Sequence, residues 1–303
     1  MDFKSKIVLI SGPTASGKSN FAIKLAKKIN GEIINADSMQ VYKELKILSA
    51  RPSIKDYRNI KHHLYGFHNV KDNFSTGDWL KLAVKKISEI KKRNKTPILV
   101  GGTGLYFKAI LDGLVKIPNI PVSFRNKIRN LHKTLGQKVF YRRLIKLDKK
   151  SKDKINPTDS QRSIRAYEVK KYTNKSLSEW FQNTKPYYKK ENFLKIYINF
   201  PRQKLISQIN SRTEKMIRMG AIKEVKNFIC LKVKKDKSVN KAIGISEIKD
   251  YLSGEKELKE IKEKISIKTR QYAKRQSTWA RGNMKNWHQL EPQQINNFLK
   301  KIK

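Results

Sequence analysis

Hydrophobic and polar positions follow two rhythms along the first third of the chain. Lys6-Ile7-Val8-Leu9-Ile10-Ser11 is a short apolar run with polar ends, the pattern of a strand buried on both faces. Behind it Phe21, Ala22, Leu25, Ala26 and Ile29 recur at helical spacing, and Asn30-Gly31 marks the stop. Both rhythms then return. Gly31–Ala36 reads as a second buried strand. Arg51–Val70 reads as loop. Ser75-x-x-Asp78 resembles a capping box ahead of a helix with Trp79, Ala83, Ile87 and Ile90 on one face. Thr96–Val100 reads as a third buried strand, followed by Gly101-Gly102-Thr103-Gly104 and a helix over Leu105–Leu111. Strand and helix in alternation predict an α/β fold with a parallel sheet.

The character changes at Ile117-Pro118-Asn119-Ile120-Pro121, a plausible boundary. Residues 122–191 read as helical and strongly basic, with no strand. Strand character returns at Leu194–Phe200, and Pro201 suits the first position of the next helix. That helix carries Leu205, Ile209, Met216 and Met219, with the methionines expected in the core. Lys241–Ser246 opens another helical stretch. A last long helix is predicted over Glu255–Arg281. It turns Leu258, Ile261, Ile265, Tyr272 and Trp279 inward and carries Arg270, Lys274 and Arg281 on one side. The polar tail beyond it yields no predicted element.

The chain has 303 residues, with 69 Lys+Arg against 25 Asp+Glu, a net charge of +44. Such an excess points to a polyanionic partner. Most of it is lysine spread over nearly every segment, which compositional drift alone also produces, so charge does not name the ligand. Cys230 is the only cysteine, which excludes an internal disulfide or zinc ribbon, and its apolar neighbours make it an expected buried hydrophobe. His62, His63 and His68 have no Cys or carboxylate at ligand spacing and read as packing or surface residues. Lys91–Lys95 reads as cations complementing a helix C-terminus, with no function assigned. No apolar run approaches the ~20 residues that cross a bilayer, and a strand begins almost at the N-terminus. The expectation is a cytoplasmic protein without membrane attachment. It has no evident obligate protein partner and is a monomer by default.

The chemistry gathers at Gly12-Pro13-Thr14-Ala15-Ser16-Gly17-Lys18-Ser19, which fits GxxxxGK[ST] between a strand and a helix. Two glycines let backbone N–H groups converge on anionic oxygens, and the helix N-terminus adds partial positive charge. Lys18 supplies a full charge, and the Ser19 hydroxyl is placed for Mg²⁺. The pattern implies a diphosphate or triphosphate with Mg²⁺; by itself it does not imply ATP hydrolysis. Strand C-termini face the ligand crevice in an open α/β sheet, so Asp37 is expected beside this loop; a helix-capping aspartate is the equal alternative. Gly101–Gly104 offers further backbone donors and the Thr103 hydroxyl at the same edge. Gln161, Arg162 and Arg165 share a helix face, suited to phosphates or base edges, though a solvated face is commoner.

Taken together, Gly12–Ser19, Asp37-Ser38-Met39-Gln40-Val41-Tyr42, Leu99–Tyr106, Asn156–Arg165 and Thr269–Gln276 resemble the bacterial tRNA dimethylallyltransferases, also called tRNA isopentenyltransferases. The resemblance covers nearly the whole chain. It implies a P-loop NTPase-like parallel sheet core flanked by helices, 1–121 with 192–303, and an inserted all-helical tRNA-binding domain, 122–191. It implies transfer of a dimethylallyl group from dimethylallyl diphosphate to N6 of the adenine beside the tRNA anticodon, with Mg²⁺ required. Gly12, Pro13, Thr14, Ala15, Ser16, Gly17, Lys18 and Ser19 would then hold the diphosphate, with Arg212 as a further contact. Asp37 would be the general base and Thr103 would contact the leaving oxygen or the adenosine. Ser38, Met39 and Gln40 would line the purine's entry. Arg125 and Gln161, Arg162, Ser163, Ile164 and Arg165 would grip the anticodon loop. Lys241 and Gly244 would add tRNA contacts, in a segment where Ile245 and Ser246 replace the arginine and aromatic that relatives often carry.

Overall fold

The computed structural model describes every residue except Met1, Asp2, Lys4, Asn183 and Lys303. The described chain divides into two compact units, residues 3–110 with 188–302, and residues 111–187.

The larger unit is built on six strands: β1 Ile7–Ser11, β2 Gly31–Asn35, β3 His62–His63, β4 Thr96–Gly101, β5 Phe193–Ile198 and β6 His288–Leu290. Their order is β3-β2-β4-β1-β5-β6, and every pairing is parallel. The helices are α1 Lys18–Lys28, α2 Thr76–Lys92, α3 Gly104–Asp112, α4 Val122–Leu147, α5 Ser160–Thr173, α6 Leu177–Gln182, α7 Arg202–Arg218, α8 Ala221–Cys230, α9 Ile245–Leu252, α10 Leu258–Asn283 and α11 Ile295–Lys300.

Strands buried on both faces read as continuous apolar runs, and β1, β2 and β4 do so because helices cover them. Phe21, Ala22, Leu25 and Ala26 of α1 pack with Val8, Ile10, Ile33, Ile98 and Val100. The Trp79 ring of α2 stacks on Tyr106 of α3 at 4.1 Å, and its indole N–H donates to the Asn35 carbonyl at the end of β2. The predicted capping box is present: Ser75 Oγ accepts from Asp78 N–H, and Asp78 accepts from Ser75 N–H. A second apolar cluster joins Val41, Tyr42, Leu45 and Leu48 to Val225 and Phe228 of α8, Ile245 and Ile248 of α9, and Ile261 and Ile265 of α10.

Several expectations are corrected. The 51–70 stretch contains β3, a two-residue edge strand beside β2. The polar tail supplies β6, which pairs with β5 and extends the sheet. Pro201 is the N-cap of α7 rather than its first residue. Met219 is 57 % exposed at the end of α7, while Met216 is half-buried. Cys230 is exposed: the inward stripe of α8 is Ala221, Val225 and Phe228, and Cys230 falls outside it. Arg93 and Lys95 reach the buried Glu32 of β2 at 2.7 and 3.5 Å, and His63 of β3 reaches it at 2.7 Å. Burial alone would raise this carboxyl. The hydrogen bonds and charges of Arg93 and His63 outweigh it and hold the group at about 2.

The smaller unit is helical, with no strand among its described residues. α4 breaks at Gly136, whose φ of 68° and ψ of 164° are not helical. Phe140 and Leu144 of α4 and Ala166 and Val169 of α5 are buried within it. Glu168, 2 % exposed, draws Arg165, Arg125 and Arg129 to 3.4, 3.5 and 3.8 Å. Gln161 and Arg162 are exposed, and Ile164 and Arg165 are half-buried. Ser163 is fully buried, and its hydroxyl donates to the Asp159 carbonyl and accepts from Gln137. It therefore lies off the exposed face on which an RNA contact was expected.

Candidate active site

The turn between β1 and α1 folds back on itself through left-handed residues, Ala15 at φ 63° and Gly17 at φ 76°. Glycine adopts this region freely, whereas Ala15 is held there at a cost, as strained backbone at functional sites often is. Lys18 curls over the turn and donates to the Pro13 carbonyl at 3.0 Å. Burial lowers its ammonium to about 8; the Asp37 charge opposes that fall and Arg212 adds to it. Arg212, projecting from α7, donates to Thr14 Oγ1 at 3.1 Å. Burial also lowers its guanidinium, against the pull of Asp37. Ser16 Oγ is buried with no hydrogen-bond partner among the described residues.

Beside this turn β2 ends in a second one. Asp37 N–H donates to Asn35 Oδ1 at 2.9 Å, and the Asn35 amide donates to the Asp37 and Leu64 carbonyls. One Asp37 carboxylate oxygen accepts Met39 N–H at 2.9 Å. The turn after β4 lies against it. A Cβ on Gly101 would sit 2.0 Å from the Ala36 carbonyl oxygen, so only glycine permits this approach. Thr103 N–H donates to Ala36 O at 3.2 Å, and Thr103 Oγ1 accepts Ser38 N–H at 2.9 Å. The resulting position of Asp37 fits the sheet-edge expectation.

A pocket of about 340 Å³ opens over these turns. Of the residues singled out in the sequence, Thr14, Asp37, Ser38, Met39, Arg212 and Lys241 line it. Gln40 does not. Its amide instead donates to the Ser49 and Ala50 carbonyls and holds the neighbouring turn. Gly244, at φ 105°, packs under Leu48 rather than facing the pocket. Thr213, Met216, Ile243, Thr269, Tyr272 and Arg275 also line it and were not anticipated as site residues. The Arg275 guanidinium lies 5.8 Å from the Tyr272 ring centre. Burial, then the Asp37 charge, pushes the Tyr106 and Tyr272 phenols well above their ordinary range, so both stay neutral. A legible signal existed: Thr269, Tyr272 and Gln276 recur at i, i+3 and i+7 within a segment already singled out, which places them on one helix face. Arg125 and Gln161–Arg165 belong to the smaller unit.

A family profile described as IPP transferase matches residues 40–283. The chain belongs to the IPP transferase family. It is 60 % identical to the tRNA dimethylallyltransferase of Pelagibacter ubique over 303 residues, covering all of this chain and 97 % of that one. It is 42 % identical to that of Rickettsia massiliae, covering 99 % and 83 %. Among solved structures it resembles the full-length tRNA isopentenylpyrophosphate transferase of Bacillus halodurans, with TM-score 0.70, 32 % identity and coverage of 98 % and 95 %. It also resembles a eukaryotic dimethylallyltransferase acting on tRNA, with TM-score 0.82, 28 % identity and coverage of 94 % and 73 %.

Proposed function

We infer that this chain transfers a dimethylallyl group from dimethylallyl diphosphate to N6 of the adenine beside the tRNA anticodon, releasing diphosphate. The observation that carries this reading is one pocket lined by Asp37, Thr14 and Arg212, with Lys18 close enough to feel the Asp37 charge. A leaving-group cradle and a base adjoin there. N6 attacks the C1 carbon of the allyl group, the C1–O bond breaks with its electron pair going to diphosphate, and Asp37 takes the N6 proton. The exocyclic amine is a weak nucleophile because its lone pair is delocalised into the ring, so orientation and proton removal fall to the protein. Thr103 fixes Ser38, and so the turn that carries Asp37.

The amides of Ala15 and Gly17–Ser19, the Lys18 ammonium, Arg212 and the Ser16 hydroxyl suit the developing charge on diphosphate, the Thr14 N–H being held by Gln276. Preorganised donors of this kind are typically worth ~10²–10³ each in rate. No group of three or more His, Cys, Asp or Glu suited to a metal occurs among the described residues. Mg²⁺ commonly binds through few protein ligands plus phosphate oxygens, so the Ser19 hydroxyl beside a diphosphate fits it. When bound, Mg²⁺ would neutralise charge on the leaving diphosphate. Ser38, Met39 and Lys241 suit the entry of an extruded purine. Arg125, Arg162 and Arg165, on the helical unit, suit the phosphates of the anticodon loop. A tRNA substrate goes with a cytoplasmic location.

The test is incubation with labelled dimethylallyl diphosphate and either tRNA or AMP. Label at the adenine beside the anticodon is the expected result. Label in AMP and none in tRNA would overturn the reading in favour of a free-nucleotide isopentenyltransferase.

A further inference from the structure

The Gln276 side chain of α10 touches both loops that build the site. Its Oε1 accepts Thr14 N–H at 2.8 Å, and its Nε2 donates to the Gly102 carbonyl at 2.9 Å. The Tyr272 hydroxyl, one helical turn earlier, also interacts with it. The turn after β4 is shaped around this amide: a Cβ on Gly102 would lie 2.2 Å from Gln276 Nε2. Gly102 is therefore glycine for space and not for backbone conformation.

From Gln276 two chains of contacts run outward. One passes through Thr14 to Arg212, on the diphosphate side. The other passes through Gly102 and its neighbour Thr103 to Ser38, on the side of the base. We propose that Gln276 is a positioning residue that sets the spacing between the leaving-group cradle and the Asp37 turn. Displacement at an allylic carbon needs nucleophile and leaving group held in register, and a misplacement of about 1 Å can cost ~10²-fold in rate. Both hydrogen bonds are needed for that spacing. An amide meets an N–H and a carbonyl at once, and neither a carboxylate nor a hydrocarbon does.

The inference rests on the transferase reading, and the experiment separates the two. Wild-type transfer to tRNA is measured first; its absence would fail the reading itself. Steady-state kinetics and melting temperatures then compare wild type with Gln276→Leu and Gln276→Glu. Both variants should lose kcat by about 10²-fold while KM for prenyl diphosphate and for tRNA stays within about threefold. A packing role alone would lower the melting temperature and leave kcat of the folded enzyme near wild type, which overturns the proposal. So would a raised KM for prenyl diphosphate at unchanged kcat. Gly102→Ala supplies an independent reading should either variant fold poorly. Alone it should lower kcat by displacing the amide. Combined with Gln276→Ala, which vacates the space, it should add little further loss. Full additivity of the two losses would contradict the proposal.

Discussion

Lys18 is held in its charged form against its surroundings, and that makes Lys18→Met an informative perturbation. The ordinary lysine value near 10.5 falls to about 8 here, burial being the main cause. The charged form is thus disfavoured by roughly 3 kcal/mol relative to an exposed lysine. Methionine keeps the apolar stem and removes the ammonium. It also removes the hydrogen bond to Pro13, worth about 1 kcal/mol. The variant without ligand should therefore be more stable than wild type at pH 7, by roughly 1–3 kcal/mol. The gain has a defined pH window. The folded wild type gives up this proton above about 8, the unfolded chain only above about 10.5. Between those values the unfolded state binds more protons, so this group makes wild-type stability rise with pH. The advantage of the variant should be complete below pH 8 and vanish above 10.5. Other lysines and the tyrosines titrate in both proteins and cancel in the difference. Urea unfolding at pH 7, 9 and 10.5, read as midpoints at constant slope, measures it. The same variant should bind prenyl diphosphate roughly 10- to 100-fold more weakly, the worth of one charge-assisted hydrogen bond. A variant less stable than wild type at pH 7, or a difference independent of pH, would refute the reasoning.

Three further outcomes are expected. Glu32 is held at about 2, so its contribution to stability is complete above the ordinary carboxylate range and is lost as pH falls through about 2. Arg93→Ala removes one of the partners that hold Glu32 ionised, so it should destabilise the fold and move the acid-unfolding midpoint to higher pH; an unmoved midpoint would contradict this. Glu224 accepts the N–H groups of Lys46, Ile47 and Leu48 at 2.8–2.9 Å and so shapes the wall that carries Leu48 and Ser49. Glu224→Ala should cost about 1–3 kcal/mol in urea unfolding and raise KM for tRNA with kcat nearly kept. If the positive charge of the helical unit grips RNA, log Kd for tRNA should vary steeply with log salt, and Arg162→Ala should reduce that slope by about 0.7–0.9; an unchanged slope would remove Arg162 from the contact.

The sheet core was legible because its strands are continuous apolar runs and its helices carry regular stripes. β1, β2 and β4 were read to within a residue, and α1 and α2 were placed, from local pattern alone. What local pattern missed was made elsewhere in the chain. β6 is His288-Gln289-Leu290, too short and polar to announce itself; it is a strand because β5 offers an open edge. β3 is two histidines paired to β2. Glu32 lies within an apolar strand, and a buried carboxylate demands partners. That demand was the available signal that the 91–95 cations do more than complement a helix end. The phosphate loop, Asp37 and Thr103 were legible because their geometry follows from strand ends and glycines. Gln276 was visible only as part of a motif, because its role depends on contacts spanning 262 and 174 residues of sequence.

The central claim is that the carboxylate beside the phosphate loop removes the N6 proton as the diphosphate departs. Single-turnover transfer by Asp37→Asn, with both substrates saturating, tests it most directly. Asparagine keeps an acceptor for the Met39 N–H that Asp37 Oδ1 now binds, so binding of both substrates should be largely kept. The rate should fall by ~10²–10⁴-fold, the usual contribution of a general base. Transfer at the wild-type rate would contradict the account.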